Sequence, residues 1–212
     1  MARGKFVTLE GGEGGGKSTQ AKKLAAALAD RDIEAVLTRE PGGSPGAEEI
    51  RRLLVTGETE RWQPFSEILL HYAARIEHVH NTVVPALESG RWVISDRFAD
   101  STLAYQGYGH GMNLDAIANI HRMALGDFGP DLTVILDLPH ETGLARAGSR
   151  AGAEDRYERM EEAFHDRIRS GFLAIADTHP DRRCVVDATA GIDEVHRAIL
   201  EAVETRLIAG RR

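Results

Sequence analysis

Eight residues, Gly11-Gly12-Glu13-Gly14-Gly15-Gly16-Lys17-Ser18, carry the plainest chemistry in this sequence. Glycines at this density let successive backbone N–H groups turn inward around phosphate oxygens, and a helix beginning at Lys17 adds its partial positive charge. In this pattern the Lys17 ammonium reaches β- and γ-phosphates, and the Ser18 hydroxyl is placed to hold Mg²⁺. The predicted triphosphate-binding set is Gly11, Gly12, Glu13, Gly14, Gly15, Gly16, Lys17, Ser18 and Thr19. Glu13 is the exception inside the loop. A carboxylate beside a triphosphate is repelled unless it turns toward a hydroxyl or a metal, so it is predicted to face a second substrate's sugar.

A second concentration lies at Ile94-Ser95-Asp96-Arg97-Phe98. Arg97 suits a bidentate phosphate, and Asp96 suits Mg²⁺ through water or an accepted proton. Ser101-Thr102-Leu103-Ala104-Tyr105-Gln106 follows, with polar and aromatic groups at helical spacing that fit a base and a sugar. His71 and Arg75 stand four apart on a helix, where a flat ring can stack on a base while the guanidinium bonds its edge. They are expected on a face separate from a core stripe of Phe65, Ile68, Leu69, Tyr72, Ile76 and Val79. The segment Thr38-Arg39-Glu40-Pro41-Gly42-Gly43-Ser44 leads into another helix, with Ser44 as N-cap and Pro45 at its first position. Arg146, Arg150 and Arg156 bracket a Gly/Ala-rich stretch and are expected on a mobile loop that closes over a triphosphate. The histidines form no metal-binding pattern, and Cys184 reads as an inert strand thiol.

These groups need a scaffold that brings them to one edge. Short apolar runs at 6–9, 35–37, 92–94, 132–136 and 184–186 read as five buried strands. Helical patterns near 17–30, 65–88, 113–126, 155–177 and 192–208 alternate with them. That alternation predicts a doubly wound α/β fold, a five-stranded parallel sheet with helices on both faces. In such sheets ligands bind beyond the strand C-termini, where both concentrations of chemistry fall. Pro85 is expected to bend the last turn of the 65–88 helix. The 212 residues read as one domain, 1–212, with a lid at about 147–156. A net charge of −7 argues against nucleic-acid binding, and one cysteine excludes an intrachain disulfide. Neither a signal-type start nor a membrane-length apolar run is visible, which predicts a cytoplasmic protein without membrane partners.

Taken together, Gly11 to Thr19, Thr38 to Ser44, Tyr72 to Arg75, Asp96 to Gln106 and the lid arginines resemble the thymidylate kinase family over roughly residues 5–205. The resemblance implies a P-loop kinase fold with a short mobile lid. It also implies a homodimer passing the γ-phosphoryl of ATP to dTMP with Mg²⁺. By motif position Arg97 and Arg51 resemble ligands of the dTMP phosphate. Arg75, Ser101, Thr102 and Gln106 resemble readers of the thymine edge, and Glu40 joins the substrate-binding set. Tyr105 resembles the ring that closes the 2′ position, and Glu13 the acid that bonds the 3′-hydroxyl. Lys17, Asp96, Arg97, Arg146 and Arg150 form the implied catalytic set, with Ser18 and Asp96 at the metal. Two departures stand out. His71 occupies the base-stacking position where the family usually has Phe or Tyr, so its binding is expected to depend on pH. Gly14 stands where some relatives carry an arginine, which points to the type whose lid supplies that charge. The alternatives are another nucleoside or nucleoside-monophosphate kinase, and a regulatory NTP hydrolase or switch. An Asn-Lys-x-Asp guanine-reading sequence is absent, which weighs against a switch.

Overall fold

The computed structural model describes residues 3–147 and 155–209. Five strands, β1 Phe6–Glu10, β2 Ala35–Arg39, β3 Trp92–Asp96, β4 Leu132–Asp137 and β5 Arg183–Asp187, form one sheet in the order β2-β3-β1-β4-β5. Every pairing is parallel. All five apolar runs are therefore strands, each a residue or more longer than its run.

Side-chain alternation distributes the core to two faces. Val7, Leu9, Ile94, Val134 and Leu136 pack with Leu24 and Leu28 of α1 (Lys17–Ala29) and with Val195 and Ile199 of α9 (Ile192–Val203). On the other face Phe6 and Val93 meet Val79, Val83 and Leu87, while Ile135 meets Phe164, Ile168 and Phe172 of α8 (Glu162–Thr178). Helices thus cover both faces.

The remaining helices are α2 (Pro45–Val55), α3 (Pro64–His78), α4 (Val84–Glu88), α5 (Ala99–Thr102), α6 (Leu114–Leu125) and α7 (His140–Ala147). The expected 65–88 helix is continuous but changes register. Between α3 and α4 the chain makes a wide turn over Val79–Val83, where Val84 N–H bonds the carbonyl of Val79, five residues back. That re-registration accommodates Pro85, whose ring would otherwise crowd the carbonyl of Asn81.

The expected core stripe of α3 is corrected. Phe65, Leu69 and Ile76 are exposed by 50%, 49% and 41%, whereas Glu67, Tyr72, Ala74, Arg75 and His78 are buried with Ile68. Arg75 is therefore not on an outer face. Periodicity alone cannot see that buried ionic partners outcompete apolar side chains for the inner face. Ser44 takes the N-cap position of α2, but its hydroxyl makes no capping bond; the Glu48 carboxylate instead accepts from Gly43 N–H at 2.9 Å. The helix expected over 155–177 begins only at Glu162.

Candidate active site

β1 and β3 are adjacent, with Leu9 in register with Asp96, so the loops leaving them share one edge. Their C-terminal ends open into a cleft of about 390 Å³ lined by Glu13 to Ser18, Glu40, Arg51, His71, Arg75, Asp96, Arg97, Ser101, Tyr105, Gln106 and Tyr157. Most of the predicted site residues are thereby assembled in one place.

On the triphosphate side, Gly11, Gly14 and Gly16 take positive φ (125°, 66° and 80°), which turns the loop. Lys17 is buried, with Nζ 2.6 Å from the Gly12 carbonyl and 3.1 Å from that of Gly11. Burial, together with Arg97, pushes its pKa down to about 8, against the pull of Asp96, Glu13 and Glu10. Ser18 Oγ donates to Asp96 Oδ2. Thr19 is exposed beside it. Gly14 abuts α7 so closely that a Cβ there would strike the carbonyl of Gly143, and a Cβ on Gly143 would strike the carbonyl of Glu13.

Arg97 occupies the centre. Its φ of 74° is unusual for a non-glycine residue and turns the chain sharply after β3. Nη1 donates to Gly11 O (2.9 Å) and Ser101 Oγ (3.1 Å), and Nη2 to Glu13 Oε1 (3.0 Å) and Tyr105 Oη (2.8 Å). Tyr105 also donates to Glu13 Oε1 at 2.6 Å. Glu13 thus turns away from the loop interior, as its charge requires. Burial alone would raise its pKa, but Arg97, Lys17 and the Tyr105 hydroxyl outweigh it and hold the carboxyl at about 2.

Beneath lies Glu10, a residue that motif reading missed because it sits inside an apolar strand. It is fully buried and accepts from Phe98 N–H (2.7 Å) and Ser101 Oγ (2.6 Å). Burial, reinforced by Asp100, raises its pKa to about 7.

The base side rests on two buried networks. Arg75 Nε donates to Glu40 Oε2 at 2.7 Å, and its Nη2 to Phe98 O and Thr102 Oγ1. His78 Nδ1 lies 2.9 Å from Glu40 Oε1, while its Nε2 lies 2.7 Å from Thr38 Oγ1. Despite burial, these partners keep the Glu40 carboxyl below its ordinary pKa. In the second network Gln106 Nε2 donates to Glu67 Oε1 at 2.7 Å, and Arg156 Nη2 lies 2.6 Å from Glu67 Oε2. Arg75 Nη1 and Gln106 Oε1 remain buried without partners.

His71 Nε2 lies 3.0 Å from Tyr157 Oη, in the cleft wall. Burial comes first, then Arg75, Arg156, Arg97 and Arg51, in driving its pKa down to about 3. The expected pH dependence through His71 is therefore corrected: burial and four surrounding arginines keep the ring neutral. Arg156 is corrected as well. It is buried and donates to the carbonyls of Leu54, Glu58 and Thr59, clasping the end of α2 and the chain after it rather than riding on a mobile loop. Arg146 Nη1 donates to Ala188 O (3.1 Å), and Arg51 Nη1 to Pro41 O (2.7 Å). Arg150 and most of the expected lid, 148–154, lie outside the described residues. Among the described residues no cluster of three or more His, Cys, Asp or Glu side chains is arranged for a metal, and no helix is long and apolar enough to cross a membrane.

A parallel sheet with a phosphate-cradling loop after β1, and a facing arginine-lined pocket after β3, defines a P-loop kinase that phosphorylates a nucleoside monophosphate. Comparison with known proteins narrows the class. A family model described as thymidylate kinase matches residues 9–199. The thymidylate kinase of Caulobacter vibrioides is 51% identical over 207 residues, 98% of this chain and 99% of that protein. That of Gluconobacter oxydans is 51% identical over 208 residues, 97% and 96% of the two chains. The crystal structure of thymidylate kinase from Ehrlichia chaffeensis superposes with a TM-score of 0.75 at 33% identity, covering 95% of this chain and 99% of that one. The chain belongs to the thymidylate kinase family.

Proposed function

We propose that the cleft divides its labour between a P-loop that holds ATP and a β3–α5 wall that holds dTMP. The chain is an ATP:dTMP phosphotransferase, transferring the γ-phosphoryl group to give dTDP and ADP. Phosphoryl transfer asks for positioning and charge neutralisation rather than covalent catalysis. Lys17 leaves the Gly11 and Gly12 carbonyls to meet β- and γ-oxygens, whose negative charge favours its protonated form. Arg97 and Arg51 hold the acceptor phosphate. Arg97 can do so while staying bonded to Tyr105, because a guanidinium has five donors. Glu13, ionised at any working pH, accepts from the sugar 3′-hydroxyl, and Tyr105 fills the 2′ side. Asp96 orients the attacking oxygen.

One observation carries the choice of base: the unpartnered buried pair of Arg75 Nη1, a donor, and Gln106 Oε1, an acceptor. A thymine edge offers the complement, a 4-carbonyl and a ring N–H. Cytosine offers the reverse, leaving both protein groups unpaired, and such a mismatch is rejected strongly.

Ser18 Oγ and Asp96 Oδ2 form a small, hard-oxygen donor set that fits Mg²⁺, an ion that takes few protein ligands and completes its shell with water and phosphate oxygens. When bound it would neutralise charge on the transferring group. Exposed Phe65, Leu69 and Ile76 on α3, Leu53 on α2 and Met123 on α6 are apolar side chains that a homodimer interface would cover. A cytoplasmic location, where ATP is supplied, fits this reading. The test is ADP release measured against all common nucleoside monophosphates. Turnover should be highest with dTMP and negligible without an acceptor; equal turnover with dCMP, or hydrolysis without any acceptor, refutes it.

A further inference from the structure

Behind the acceptor wall lies a second cavity of about 400 Å³, as large as the cleft itself. Its floor is apolar, built from Tyr72 of α3, Phe98, Leu103 and Ile117 of α6. His121 stands in its wall with Nε2 3.0 Å from the carbonyl of Phe128. A carbonyl can only accept, so Nε2 carries the proton and Nδ1 presents a lone pair. Burial keeps the imidazole below its ordinary pKa and hence neutral. Nδ1 is buried with no partner, an acceptor that a bound donor would satisfy.

The mouth is basic. Arg183 is engaged by four bonds, to both oxygens of Asp100, the Ile175 carbonyl and the Thr178 hydroxyl. Among the described residues Arg122 shares only Nη1, with Asn119, and the Arg182 side chain makes no bond. Asp127 is the remaining acid among the lining residues, so two guanidinium groups face one carboxylate.

We propose that this cavity is a second small-molecule site for a planar heteroaromatic anion. A ring N–H donates to His121 Nδ1, the ring lies against Phe98 and Tyr72, and the anionic group meets Arg122 and Arg182. The occupant would bear on the acceptor wall from behind. The guanidinium of Arg75 lies 4.7 Å from the Tyr72 ring centroid and 5.2 Å from that of Phe98, the two rings that floor the cavity.

The test uses three ring probes against the full chain saturated with dTMP, followed by amide chemical shifts. Orotate carries both a ring N–H and a carboxylate, benzoate lacks the N–H, and uracil lacks the anion. Orotate should give saturable shifts at Phe98, Asp100, Phe128 and Gly129, with a millimolar Kd suited to its size. Benzoate and uracil should each bind at least ~5-fold more weakly, the loss of one charged or buried hydrogen bond. His121→Phe should erase the preference over benzoate, and the surface change Arg182→Ala the preference over uracil. Absence of saturable shifts, equal binding of the three probes, or indifference to both substitutions overturns the proposal.

Discussion

Protonation of His71 has a calculable consequence for base binding. With a pKa of about 3, only ~0.2% of the rings are protonated at pH 5.8; at the ordinary value of 6.5 the figure would be ~83%. If the cation could not accept thymine, that ordinary value would weaken binding ~6-fold between pH 7.8 and 5.8. The structure predicts no such loss. The acceptor's phosphate complicates a direct test, because its second pKa lies near 6 and its dianion is the better ligand for Arg97 and Arg51. Thymidine, which carries no phosphate, isolates the ring. Its Kd, measured calorimetrically at pH 5.8 and 7.8, should agree within ~2-fold, while dTMP binds more weakly at the lower pH to wild type and His71→Phe alike. His71→Ala should weaken thymidine by about 1–3 kcal/mol, the range for losing an aromatic platform. His71→Phe keeps the platform but loses the bond to Tyr157, costing roughly 0.5–1.5 kcal/mol. A ~6-fold pH effect on thymidine in wild type that vanished in His71→Phe would refute the neutral-ring argument. The sign for stability is equally fixed. The folded ring binds fewer protons than the unfolded one between pH 3 and 6.5, so His71 costs stability as pH falls through that window.

Three further outcomes follow from the site. Lys17→Ala should lower kcat at least ~100-fold by removing a cation from charge developing on the transferred group, and near-normal turnover would sink the triphosphate assignment. Arg97→Ala should cut kcat/KM for dTMP roughly 30- to 1,000-fold while ATP affinity changes little. Nucleotide titration showing the reverse would mean that the cleft is divided wrongly. Glu10 has a raised pKa of about 7, so the folded state holds a proton that the unfolded state has lost above 4.5, and stability falls as pH rises between those values. That loss is at most about 3 kcal/mol and should be absent in Glu10→Gln, with urea midpoints at pH 5 and 8 as the measure; equal pH slopes in both proteins would contradict it.

The sheet was legible because parallel strands buried on two faces leave runs with little polar alternation, as Leu132 to Leu136 does. The phosphate loop was legible because its glycines are needed wherever the loop forms. Less visible were residues whose meaning depends on distant partners. Arg75 reads as a surface cation until Glu40, 35 positions earlier, lies 2.7 Å from it. Arg156 reads as a lid arginine until Glu67 and three carbonyls claim it. Glu10 carries no motif at all. Phe65, Leu69 and Ile76 satisfy a helical period without being inside, because periodicity records that one face is apolar and not what covers it.

The contact between Gly14 and Gly143 bears on how such enzymes diverge. Gly14 stands in the phosphate loop directly against α7, and any side chain there would collide with that helix's backbone. Arg146 lies in the last turn of that same helix, just before the arginine-bearing segment. A side chain at position 14 and α7 at its present distance are thus sterically exclusive. Grafting an arginine at position 14 would require α7 to retreat from the loop, moving Arg146 with it. A lineage could acquire a side chain at this point of the loop only together with a change that shifts α7.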